Sequence, residues 1–269
     1  FVRMTSDTTL EGFVSTLPEY VKNYQQGAQV KMYFVAELDK APKQVGSFID
    51  KQVNPGEHSV QGKGCGLYLN FETRADESIH IKVGLSYTSI DNARKNLKAE
   101  ASDLRFDDAR RAARKSWNQM LGRIAVEGGK EEDRTKFYTG LYHALLGRGV
   151  ASDVNGAYVK NDGSIGQIPL GEDGSPLYHH YNTDAVWGAF WNLTQLWAIA
   201  YPDYLNQFVN CQLDIFEETG WLADGIATSK YVSGVGTNFM GQLIVSAYNR
   251  GIRGYDIEQA FRAVRRNEL

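Results

Sequence analysis

Cysteine is nearly missing from this chain: its 269 residues hold only Cys65 and Cys211. Two cysteines so far apart, in what read as separate domains, argue against a disulfide framework. No metal-ligand spacing accompanies them, and both read as small buried hydrophobes. Charge of one sign is also lacking, with a net of −3. That excludes a general electrostatic grip on nucleic acid. Long apolar runs are missing too. The longest, Ala185 to Tyr201, is interrupted by Asn192, Thr194 and Gln195 and is short for a membrane span. No secretory leader is visible, but the chain begins at Phe1 without an initiator methionine, so that absence carries no information about secretion. There is no G-x-S-x-G, no P-loop and no H-E-x-x-H, so no nucleophile, nucleotide or zinc-protease signature directs the reading.

What is present is apolar and aromatic. Hydrophobic residues make up 42% of the chain, enough for a full core, and its length fits one or two domains. Aromatics reach 12%, with 15 Tyr and 5 Trp, which leans toward a stackable or polyhydroxylated ligand.

Residues 29 to 90 read as strands. Val30, Met32, Phe34, Ala36 and Leu38 alternate with Lys31, Tyr33, Val35 and Glu37. Leu67, Leu69 and Phe71 alternate with Tyr68 and Asn70. Ile79, Ile81, Val83 and Leu85 alternate with His80, Lys82, Gly84 and Ser86. A two-residue period predicts antiparallel strands with one buried face. Gly62, Gly64 and Gly66 form a GxGxG run with no helix after it, which predicts a turn or bulge in place of a phosphate site.

The period then changes. Phe106, Ala109, Ala113, Trp117 and Leu121 follow helical spacing, and 91–122 reads as a helical linker. Ile124 and Val126 before Gly128-Gly129 predict a short strand and turn. Phe137, Leu141 and Leu145 mark the next helix. Asn155-Gly156, Asp162-Gly163 and Asp173-Gly174 signal a looped or hairpin insertion. Asp153-x-Asn155-Gly156 matches the start of a calcium loop, but the later ligands are absent and a turn is expected. His179-His180 has no third ligand at a suitable spacing and reads as loop.

Pro202 starts a helix with Tyr204, Phe208, Cys211 and Ile215 on one stripe and Gly220 just past its end. Thr237 or Asn238 caps another, closed by Gly251. Asp256-x-x-Gln259 caps the last. These helices describe an array of antiparallel pairs.

Tyr181 to Pro202 carries Trp187, Phe190, Trp191, Trp197 and Tyr201 in one short segment, which predicts a buried helix. Its polar residues, Asn182, Thr183 and Asp184, gather at the entrance, where a helix needs a cap. Tryptophan beside a carboxylate is also a way to hold a sugar ring: the aromatic face takes C–H groups and the carboxylate takes hydroxyls. Gly188 lies four residues after Asp184, on the same face. Glycine there costs about 1 kcal/mol relative to alanine. Space for a ligand and close packing of a neighbouring helix both account for it.

The blocks FYTGLYHALLGRGVASDVNGAY (137–158), YNTDAVWGAFWNLTQLWAIAYP (181–202), GWLADG (220–225) and SAYNRGI with its flanking YD (246–256) resemble, in order and spacing, glycoside hydrolase family 92. Its members are calcium-dependent, inverting exo-α-mannosidases of bacteria. The resemblance implies a multidomain β + α fold, with an antiparallel β-sandwich followed by the first part of an (α/α)6 toroid. Residues 1–90 would be the C-terminal part of the sandwich, 91–122 the helical linker, and 123–269 the beginning of the toroid.

The implied activity is release of terminal α-linked mannose from a mannose-containing glycan. Family habit implies a periplasmic, secreted or cell-surface location. Asp184, Trp187 and Asp224 are the candidate sugar contacts, Asp224 because a carboxylate in the loop after Trp221 reaches toward hydroxyls. Many members carry aspartate where this chain has Gly188, and Asp184 is one turn away to replace that carboxylate. The general acid, the base and the calcium ligands are expected beyond Leu269. No catalytic or metal-binding residue is therefore assigned in this chain, and the calcium requirement belongs to the longer enzyme. Two alternatives stand beside this reading: another (α/α)6 glycosidase or phosphorylase, and a carbohydrate-binding or scaffolding fragment without activity.

Overall fold

The computed structural model describes residues 1–16, 29–101, 105–146, 149–181, 186–227, 230–232 and 237–269. They fall into two compact units, each taken by itself.

The first unit opens with eight strands: β1 (Val2–Met4), β2 (Thr9–Thr16), β3 (Val30–Leu38), β4 (Gln44–Ile49), β5 (Gln52–Pro55), β6 (Ser59–Val60), β7 (Cys65–Asn70) and β8 (Ile81–Ser86). They make a five-stranded antiparallel sheet, order β6-β1-β2-β3-β8, and a three-stranded one, order β5-β4-β7. The turn expected at the glycine run leads into β7. Gly64 has φ +68, and a Cβ there would lie 2.4 Å from Asp50 Oδ1, so both conformation and space call for glycine.

Helix α1 (Ile90–Ala101) packs on this sheet, within the stretch read as a linker. Val35, Ala93 and Leu97 form their shared core. Glu11, 3% exposed, accepts hydrogen bonds from Arg3 (2.6 Å) and from Arg94 of α1 (2.5 Å), pairing a buried carboxylate with two guanidinium groups. Here the structure corrects the face expected of β8. Ile81, Val83 and Leu85 are 51–56% exposed, while Gly84 and Ser86 are buried. The cause is close approach of α1: a Cβ on Gly84 would lie 2.2 Å from the Ala93 carbonyl oxygen. The helix covers the small-residue face and leaves the apolar face of β8 outward. β3 is buried on both faces at its C-terminal half, through Val35 on one side and Ala36 and Leu38 on the other.

Residues 153–155 also belong to this unit. Asp153, 3% exposed, takes a hydrogen bond from Asn96 at 2.7 Å and a short one from Thr88, while Asn155 donates to Asn92 at 3.1 Å. The Asp-x-Asn-Gly sequence is therefore a turn, with its carboxylate used internally.

The second unit is helical. It contains most of α2 (Phe106–Leu121), then α3 (Glu131–Leu145), the hairpin β9 (Ala157–Val159)/β10 (Ile165–Gln167), α4 (Val186–Ala189), α5 (Leu193–Ala200), α6 (Pro202–Thr219), the hairpin β11 (Gly225–Ala227)/β12 (Lys230–Val232), α7 (Phe239–Asn249) and α8 (Ile257–Glu268). The strand expected around Ile124 does not form.

α6 is the spine. Leu205, Phe208, Val209, Cys211, Gln212, Leu213 and Ile215 are all buried, a wider face than one stripe. α5, α7 and α8 all pack on it. Pro202 sits in its first turn, where a missing N–H costs nothing, and Gly220 ends it at φ +77. Asp256 caps α8, accepting from the Gln259 N–H at 2.9 Å.

The tryptophan-rich segment departs from the single buried helix expected. It breaks at 190–192 into α4 and α5. Trp197 and Tyr201 are buried, but Trp187 and Trp191 are 45% and 69% exposed. The break turns the two halves to different environments.

Candidate carbohydrate-binding site

Of the three candidate sugar contacts, Asp184 lies outside the described residues. Trp187 sits on α4 with nearly half its surface free. Gly188 beside it has nothing within 4 Å of where a Cβ would stand. Close packing of another helix is thus not what calls for glycine among the described residues, which leave the space at Gly188 open.

Asp224 is placed differently from the expectation that it reaches sugar hydroxyls. It is 5% exposed. One carboxylate oxygen accepts the Thr237 N–H at 3.0 Å and the other accepts the Thr237 hydroxyl. Its backbone carbonyl accepts the Val186 N–H, the first residue of α4, at 2.6 Å. Two hydrogen bonds to a buried carboxylate satisfy it locally and leave little surface for a ligand. The structure therefore brings Asp224 next to the start of α4, but with its side chain turned to Thr237, the residue before Asn238, which is the α7 N-cap.

Around this junction the contacts are dense. Asn267 and Leu222 exchange two hydrogen bonds at 3.0 Å, and Asn238 donates to Glu268 at 2.5 Å. Phe190 and Phe239 stack at 4.7 Å with nearly parallel rings, and Trp191 meets Phe239 edge-on at 5.2 Å. Trp221 is 42% exposed, with the Arg266 guanidinium 4.4 Å from its ring centre. A groove beside Phe190 presents Gln242, Asn249, Arg250 and Glu268. Sequence reading missed Thr237 as a partner of Asp224 and missed these groove residues. They sit on helix faces whose polar character looks the same as any solvated surface.

A second polar cluster lies between α6 and the β9/β10 region. Tyr178 donates to Asp214 at 3.0 Å. Tyr158 donates to Glu218 at 2.7 Å, and the Asn161 N–H does so at 2.9 Å. His180 is buried, stacked on Tyr158 at 4.4 Å, with Nδ1 3.6 Å from Cys211 Sγ. Burial pulls its pKa down to about 4, so the ring is neutral near pH 7. Among the described residues no group of three or more His, Cys, Asp or Glu side chains could hold a metal ion.

Burial pushes Asp214 up from 3.8 to about 7; the Tyr178 hydrogen bond opposes this and the neighbouring Glu218 adds to it. A raised folded-state pKa stabilises below the unfolded value, and that stabilisation is lost as pH rises through the folded one. Between pH 4 and 7, wild type is expected to lose on the order of 3 kcal/mol relative to Asp214→Asn. Urea denaturation of both proteins at the two pH values checks this; equal pH slopes would refute it.

The model of the glycosyl hydrolase family 92 N-terminal domain matches residues 1–86, and that of the family's catalytic domain matches residues 92–269. Among solved structures, the chain is similar to a family GH92 inverting mannosidase from Bacteroides thetaiotaomicron VPI-5482, with TM-score 0.85 and 22% identity over 97% of this chain and 34% of the other. It is also similar to a second family GH92 α-mannosidase of Bacteroides thetaiotaomicron, with TM-score 0.84 and 20% identity over 100% of this chain and 35% of that one. That mannosidase has also been solved in complex with mannoimidazole, where the likeness has TM-score 0.82, 20% identity and coverage of 100% and 34%. The chain thus spans about a third of the length of these structures. No curated protein matches it.

Proposed function

This chain belongs to glycosyl hydrolase family 92, and we propose that it is part of an exo-α-mannosidase that releases terminal α-linked mannose from glycans with inversion and the help of calcium. The observation that carries the reading is the pair of family matches, in order, over nearly the whole chain, on a fold like that of two mannosidases. Trp187 and Asp184 are the side chains we assign to the terminal sugar. The half-exposed indole offers a flat apolar face for the C–H groups of a pyranose. Asp184 offers a charged acceptor for its hydroxyls, three residues earlier in the chain.

Inversion needs two carboxyl groups, one protonating the departing oxygen and one activating water on the opposite face. We assign neither role within this chain. The described residues do not fit a calcium site, so no step is derived through the ion.

The test is mannose release from α-linked mannobiosides by the polypeptide that carries this sequence, with calcium and with a chelator. Calcium-dependent release of β-mannose is expected. Phosphate-dependent release would move the assignment to a phosphorylase. Sugar binding without turnover would move it to a binding protein. The 269-residue chain by itself is expected to release none.

A further inference from the structure

We propose that Asp224 is a positioning residue of the mannose site: it acts through Thr237 and Val186 to hold Trp187 in place, without touching sugar. The proposal rests on the reading of Trp187 as a sugar contact.

Three observations carry it. First, the Asp224 carboxylate is almost completely buried, and its two oxygens each receive a hydrogen bond from one residue, Thr237. Second, the carbonyl of Asp224 itself takes the Val186 N–H at 2.6 Å, one residue before Trp187. A single residue thus binds the residue before the α7 N-cap with its side chain and the first residue of α4 with its backbone. Third, the far side of the junction is tied down independently. Asn267 of α8 pairs with both backbone groups of Leu222, two residues before Asp224, and also donates to Asn238, next to Thr237, at 3.2 Å. The loop carrying Asp224 is therefore fixed to α7 and α8, and the first residue of α4 is hydrogen-bonded to that loop.

α4 has only four residues. It is too short to hold its own orientation, because a helix of one turn gains little from internal hydrogen bonds. The direction of the Trp187 ring must come from what anchors its ends. Displacing a substrate-contacting group by about 1 Å can cost on the order of 100-fold in rate. A carboxylate without surface of its own can in this way set the sugar affinity of an indole it does not touch.

The test uses Asp224→Asn, Thr237→Val and the double variant in the mannosidase polypeptide, with Thr237→Ser as the conservative control. kcat/KM for an α-linked mannobioside is measured beside hydrogen exchange at the Val186–Ala189 amides. Positioning predicts that Asp224→Asn and Thr237→Val each lose roughly tenfold or more in kcat/KM, and that the double variant is no worse than the weaker single by more than about twofold, because both weaken one linkage: valine removes the hydroxyl bond and keeps the N–H, and asparagine removes the charge that both bonds serve. Thr237→Ser keeps the wild-type value. Exchange at the Val186–Ala189 amides rises in the same variants that lose activity.

Loss in Asp224→Asn with wild-type exchange at the Val186–Ala189 amides would mean that the carboxylate meets sugar directly, and would overturn the proposal. So would a fall in melting temperature with unchanged kcat/KM and unchanged local exchange, which is what a purely structural role gives. Should the wild-type polypeptide release no mannose, the mannosidase reading fails by itself. Positioning is then decided by the exchange data alone, and unchanged exchange in both single variants would sink it.

Discussion

Trp197→Ala is expected to lower the stability of the helical unit by about 3–5 kcal/mol, the range for emptying a large aromatic site in a core. Trp197 is 2% exposed and sits where α5 meets α6. Its ring meets Tyr204 at 4.9 Å, edge to face, and Phe208 at 5.4 Å. Phe208 is 1% exposed on the α6 spine, packed too closely to swing into the space left behind. A domain is stable by about 5–15 kcal/mol in total, so much of the native margin goes with this one side chain. Trp191→Ala, six positions earlier, is the contrast. At 69% exposure it removes little burial and is expected to change stability by less than about 1 kcal/mol. Denaturation of the two variants side by side checks both. Similar losses in both would mean that the break at 190–192 does not separate the environments of the two indoles.

The second large effect is on sugar recognition. Asp184→Ala is expected to lower kcat/KM toward α-linked mannobiosides by about 100-fold, with Asp184→Asn between it and wild type. A hydrogen bond to a charged acceptor is worth about 1.5–3 kcal/mol, so one such bond to a sugar hydroxyl accounts for the loss. Asparagine keeps one acceptor oxygen and loses the charge. The motive is the four-residue offset to Gly188 in the sequence, together with the absence of any atom of the described residues within 4 Å of where a Gly188 Cβ would stand. Turnover unchanged in both variants would remove Asp184 from the site.

Much of the architecture could be read from local pattern. The two-residue period located β3, β7 and β8, and the Pro202 and Gly220 pair bounded α6, because these signals depend on neighbours a few positions away. What could not be read depended on contacts far apart in sequence. β8 shows this best: alternation put Ile81, Val83 and Leu85 inward, but the side covered by α1 is the one Gly84 makes thin enough to approach. For the candidate site, the aromatic segment pointed to Trp187, which the structure leaves nearly half exposed, whereas the bonds of Asp224 to Thr237 join residues 13 positions apart across a hairpin, with no periodic signal between them. A buried carboxylate serving another loop and an exposed one waiting for sugar have the same letter in a sequence.

The packing of α1 bears on how the gene divides. The matches to the two domain families separate at residues 86 and 92, at the start of α1. Yet Val35 shares its core with Ala93 and Leu97, and the buried Glu11 is held by Arg94. Residues 153–155 return to the same unit, where Asn92 and Asn96 meet them. Cutting the chain at the family boundary would strip the sheet of its helical cover, expose Val35 and leave Glu11 with one of its two guanidinium partners, Arg3. The natural folding unit of the strand-rich part continues through α1, and it borrows one turn from the middle of the helical part. The family seam and the physical seam are two different lines through this polypeptide.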